Sequence, residues 1–115
     1  MSIKDIRNAT IGSKPDFKSE TVEHGNAEVE IRQLTVGDRN KLLEQAKGKD
    51  GIDGLKLQVY AVIMTAHDPE TGEKVFGPED YDSLVSQPSG GFVDTFSNVA
   101  FRVLGISGEE DEEKN

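Results

Sequence analysis

Apolar residues are densest over positions 55–66, LKLQVYAVIMTA, where Leu55, Val59, Val62, Ile63 and Ala66 recur at the spacing of one α-helical face. Leu57, Tyr60, Ala61 and Met64 occupy much of the remaining circumference, which predicts a helix buried on more than one side, with the rest of the chain packed around it. Upstream the period changes to two. Ala27, Val29 and Ile31 alternate with Glu28, Glu30 and Arg32, the pattern of a strand with one buried face. Positions 17–23 hold a second extended segment with Thr21 and Val22. The intervening His24-Gly25-Asn26 is turn chemistry, so the pair reads as a β-hairpin. A lone hairpin is not stable in water, so it must pack on helices or pair with another chain.

Thr35 reads as a helix N-cap, with Asp38 at the third helical position in a capping-box-like arrangement. That helix is expected from Val36 to about Lys47, burying Val36, Leu42, Leu43 and Ala46 and stopping at Gly48. Positions 49–54 form a polar, glycine-punctuated loop. The central helix is expected to end near His67, because Pro69 disfavours helix at the residue before it. Asp68-Pro69-Glu70-Thr71-Gly72 has tight-turn chemistry, with Gly72 suited to positive φ, and Lys74-Val75-Phe76 is a short extended piece.

A further helix over positions 78–86 opens with Pro78 and places Glu79 and Asp80 at the positive end of its dipole; it is expected to bury Tyr81, Leu84 and Val85. After a break at 87–91, the last helix starts near Phe92, or a few residues earlier with Pro88 in its first turn, and repeats the central spacing with Phe96, Val99, Ala100 and Val103. It closes at Gly105. The first 18 residues fit neither period; Ile3, Ile6 and Arg7 can form one helical turn, and the segment reads as a flexible arm that orders on docking. The expected organisation is an arm over 1–18, one α+β domain over 19–107 and a disordered acidic tail over 108–115. Within the domain, an N-terminal β-hairpin precedes about four helices that form a small helical core.

Composition narrows the classes of function. Net charge is −9, and the tail carries Glu109, Glu110, Asp111, Glu112 and Glu113 against Lys114 alone. This balance disfavours nucleic acid and anionic membranes as partners, since phosphate binding needs clustered Lys and Arg. Cysteine is absent, which excludes disulfides, thiol chemistry and Cys-ligated metal, and suits a reducing cytoplasm. The opening MSIKDIRNAT carries no apolar h-region, so no signal peptide is expected, and the longest apolar run falls short of the roughly 18 residues of a membrane span. A soluble, intracellular protein is expected.

Catalytic and metal chemistry finds little support in the pattern. His24 and His67 stand alone beside turns, with nothing at metal-ligand spacing. Asp68, Glu70 and Glu73 around a glycine lack the Asp-x-Asp-x-Asp-Gly alternation of a calcium loop, and Gly48, Gly51 and Gly54 precede no Gly-Lys-Ser/Thr of a phosphate loop. Ser83, Ser86 and Ser89 sit in no nucleophile-elbow pattern and read as caps and loop polarity. No catalytic, metal or cofactor-binding residue is assigned, and no cofactor is expected. The aromatics of the last helix, Phe92, Phe96 and Phe101, read first as core, while Phe101 lies off the main stripe and can face a partner. The acidic tail reads equally as a solubilising end or as a docking strand for a basic partner.

Four runs, VEIRQLTVGDRNKLLEQA (29–46), DPETGEKVF (68–76), PEDYDSL (78–84) and positions 92–105, resemble in order and spacing the tail assembly chaperones of long-tailed, siphovirus-type bacteriophages. The resemblance covers about positions 17–108. It implies a non-enzymatic protein that binds the tape measure protein, keeps it soluble and recruits tail tube subunits during tail morphogenesis. It further implies a place in the host cell cytoplasm, absence from the mature virion and, in many relatives, a longer product made by programmed frameshifting. On this reading Phe92, Phe96, Phe101, Glu109, Glu110, Asp111, Glu112 and Glu113 are the candidate partner-binding residues, and self-association into a ring or spiral is expected to supply repeated weak contacts. The alternatives are a phage structural component, such as a head–tail connector or minor tail protein, and an acidic DNA-mimic inhibitor.

Overall fold

A computed structural model describes residues 1–106. It is a mixed α+β chain in which a small antiparallel sheet lies against helices. The first strand, β1 (Ser19–His24), and the second, β2 (Ala27–Arg32), form the hairpin, with Gly25 at φ 62° in its two-residue turn. Only glycine takes that conformation without steric cost, so the turn position selects it. Val22 lies opposite Val29 and Glu20 opposite Ile31, which puts Val29 and Ile31 on the buried face and Glu30 and Arg32 on the other.

Thr35 caps the helix α2 (Val36–Gln45) by accepting a bond from the Asp38 N–H at 3.0 Å. The Asp38 carboxylate, one methylene shorter than the Glu of a capping box, turns to Lys41 Nζ at 3.9 Å. Leu42 and Ala46 are fully buried, whereas Val36, expected in the core, is 78% exposed. At 100° per residue it points about 120° away from Leu42, on the side of Leu43, which is half-buried. The expected loop contains a minimal hairpin, β3 (Lys47–Gly48) with β4 (Gly51–Ile52).

The central helix is α3 (Gly54–Thr65), capped by the Asp53 side chain on the Lys56 N–H. Val59, Ala61, Val62, Ile63 and Thr65 are buried, which confirms burial on more than one side. Leu55 departs from that expectation at 50% exposure, standing at the edge of a groove that Leu84 and Val85 also line. The helix ends before His67: Ala66–His67 forms a strand, β5, which pairs antiparallel with β2 through Ile31 and Glu30, and Lys74 continues the ladder by bridging His67. The sheet order is β1-β2-β5.

A 3₁₀ turn (Pro78–Asp80) leads into α4 (Tyr81–Val85), which buries Leu84 and leaves Val85 38% exposed, against the expectation that Val85 is core. The last helix, α5 (Phe92–Leu104), ends at Gly105 with φ 73°, the left-handed C-cap that the sequence indicated. It packs on α3 and on the inner face of β1 and β2, so the core lies between α3, α5 and the sheet. A polar cluster ties α3 to α5 at the edge of that core. Gln58 donates to Asp94 and to Ser97 Oγ (3.1 Å), and Ser97 donates to the Asp94 carbonyl (3.1 Å). The Asp94 carboxyl is held below its ordinary range by the Gly90 N–H first and by Gln58 second. Among the described residues no buried side-chain polar atom lacks a partner.

The N-terminal arm is more ordered locally than its sequence pattern indicated. Ser2 and Asp5 form a full capping box at the start of α1 (Ile3–Ala9), yet the helix buries no residue. Gln33 fastens the far end of the arm to the body: its N–H donates to the Lys18 carbonyl at 2.8 Å, and its Oε1 accepts from the Lys18 N–H at 3.1 Å.

Candidate functional site

Because alternation along β2 sends Val29 and Ile31 inward, Glu30 and Arg32 stand on the opposite face of the sheet. There they border a groove of about 440 Å³, with Phe17, Leu34 and Met64 as its apolar lining and Asp38, His67 and Lys74 among its polar lining. Three separate elements meet at it: the end of the arm, the β2–α2 connection, and the α3–β5 junction with the strand-like piece at Lys74.

The polar groups are ordered by one another. The Glu30 carboxylate accepts from Ser19 Oγ at 2.9 Å and from Arg32 Nε at 3.0 Å. Those two bonds, Ser19 first, keep its carboxyl below the ordinary range despite partial burial. The Arg32 guanidinium lies over Gly72, where a Cβ would come within 3.2 Å of Nη2, so the glycine at φ 79° both makes the turn and leaves room for the arginine. The turn itself is closed by Asp68, whose carboxylate accepts from the Glu70 N–H at 2.8 Å and whose carbonyl accepts from the Gly72 N–H at 2.8 Å. The Asp68 carboxyl is therefore lowered, chiefly by the Glu70 N–H.

His67 Nδ1 is 2.7 Å from the Thr65 carbonyl oxygen. A carbonyl can only accept, so Nδ1 carries the proton and Nε2 is the nitrogen left for other contacts. The site thus combines apolar side chains with both cations and carboxylates. Such a lining suits side chains of a polypeptide better than a single compact charge.

The residues singled out from sequence lie elsewhere. Phe96 is in the core at 1% exposure. Phe92 is half-buried, with its ring centroid 5.6 Å from Phe96, 6.3 Å from Phe76 and 6.4 Å from His24, and Phe101 is half-buried at the edge of the core. Glu109, Glu110, Asp111, Glu112 and Glu113 fall outside the described residues. Of the groove residues, Glu30 and Arg32 carried a sequence signal, since strict alternation marks both as outward on one face. Met64, His67 and Lys74 carried none.

Among the described residues, no group of three or more His, Asp or Glu is placed to hold a metal ion, and no helix is long and apolar enough to cross a membrane. No family model, curated protein or solved structure matches the chain.

Proposed function

We propose that this chain is a tail assembly chaperone of long-tailed bacteriophages, which holds the tape measure protein in solution until tail tube subunits assemble on it. The observation that carries the reading is where the resembling runs meet. Arg32, Leu34 and Asp38 from the β2–α2 run and Lys74 from the connector line the same groove, and Gly72 of that connector packs under the Arg32 guanidinium. A helical client can place apolar side chains on Phe17, Leu34 and Met64 while Arg32, Lys74, Glu30 and Asp38 set its register through charge. Mixed lining of this kind supports many weak contacts along a long client.

Co-expression with the tape measure protein of the same phage tests the proposal. The expected result is a soluble complex that co-purifies with the wild-type chain and loses yield with Lys74→Glu and Phe17→Ser, two exposed groove positions, while the variants melt like the wild type. A client that aggregates regardless, or that co-purifies equally with both variants, contradicts the groove reading. Finding the chain in purified virions would instead favour a structural component.

A further inference from the structure

We propose that α1 of one molecule docks into a second groove, beside α4, on another copy of this chain. This inference is independent of the client and stands or falls separately from the chaperone reading. Its starting point is a helix without a partner. Ile3 and Ile6, three positions apart on one face, are 77% and 47% exposed, and Ile11 just beyond them is 74% exposed. A seven-residue helix is marginal in water even when capped, so its apolar face calls for a surface to cover it.

The receiving surface is an apolar groove with carboxylates in and beside it. A groove of about 220 Å³ runs between the first turn of α3 and α4, with Val59, Leu84 and Val93 at its floor. Leu55 and Val85, two of the three residues expected in the core but found exposed, at 50% and 38%, form its rims. Asp94 lines it, Asp53 lies two positions before Leu55, and Asp82 lies one turn before Val85 on α4. The nearest cation in sequence, Lys56, turns its ammonium to the Lys47 carbonyl at 3.3 Å.

The arm has the complementary sign. Residues 1–18 hold four cations (Lys4, Arg7, Lys14, Lys18) against two carboxylates, whereas residues 19–106 hold eight cations against fifteen carboxylates. Each molecule therefore carries one basic apolar knob and one acidic apolar socket at different places. That is a head-to-tail contact, which extends from copy to copy until it closes into a ring or continues as a helix.

The absence of native cysteine makes the test direct. Ile6→Cys and Val85→Cys chains, purified separately and mixed under mild oxidation, are expected to give covalent dimers at least about tenfold faster than Ile6→Cys mixed with Val36→Cys, whose site is exposed but off the groove. Equal rates would overturn the proposal. Sedimentation of the cysteine-free chain provides the second readout. Wild type is expected to grow in mass with concentration and to lose this at high salt, and the Ile3→Ser/Ile6→Ser double variant is expected to stay monomeric with an unchanged melting curve. A wild type that remains monomeric up to about 1 mM also overturns it.

Discussion

Two helices of this chain, α1 and α5, show how differently local signals and burial act. α1 begins with a complete capping box, in which Ser2 and Asp5 satisfy each other's backbone N–H groups, and buries nothing. α5 begins at Gly91 with no side-chain cap bond, yet it buries seven of its thirteen residues against α3 and the sheet. Caps decide where a helix starts, and apolar contact decides whether it is held. The body holds its helices by its own core, while the arm is a locally encoded element that buries nothing against it.

The largest expected effect sharpens that contrast. Phe96→Ala empties the centre of the core and should cost about 3–5 kcal/mol in chemical denaturation, whereas Ile6→Ala at high dilution should stay within about 0.5 kcal/mol. Equal losses for the two would erase the distinction.

Removing caps is the next step down. Thr35→Ala and Asp53→Ala, which each remove an acceptor from a body helix, should cost about 1 kcal/mol of global stability, readable from denaturant midpoints. Ser2→Ala removes the same kind of bond from α1 and should lower far-ultraviolet helicity while leaving the global midpoint in place. At the other end of α5, Gly105→Ala forces a side chain into φ 73° and should cost about 1 kcal/mol by the same assay.

The smallest effect concerns the ion pair that ties α5 to the hairpin edge, Arg102 Nη2 to Glu20 Oε1 at 2.8 Å. Both side chains are largely exposed, so Glu20→Gln should cost under about 1 kcal/mol. Its pH signature is more specific. The Arg102 hydrogen bond, and to a lesser degree its charge, holds the Glu20 carboxyl below its ordinary value of 4.5. A carboxyl lowered on folding contributes stability above its unfolded pKa and loses it as pH falls through the folded one. The wild type should therefore lose melting temperature faster than Glu20→Gln between about pH 5 and 3.

Much of the fold was legible because periodicity is local. The alternation at Val29 and Ile31, the 3.6-residue stripes of α3 and α5, and the terminating Gly105 each show in a short window. The strand Ala66–His67 was not legible: two residues carry no period, and their pairing partner in β2 is some 35 positions away. Val36, Leu55 and Val85 were assigned to the core because spacing reports a face but not where the neighbouring layer stops. At Val36 even the face was wrong, since a first-turn residue can sit off the stripe. The groove was hidden for a third reason. Phe17, Arg32, Met64 and Lys74 come from distant segments, and none is unusual in its own surroundings.

Hydrogen exchange on the full chain at rising concentration tests most directly whether the body stands alone and the arm is completed from outside. Amides of α3 and α5 are expected to be protected throughout, while those of α1 exchange freely at high dilution and become protected as concentration rises. Protection of α1 at the highest dilution, or exchange that is equally fast at every concentration, would contradict that expectation.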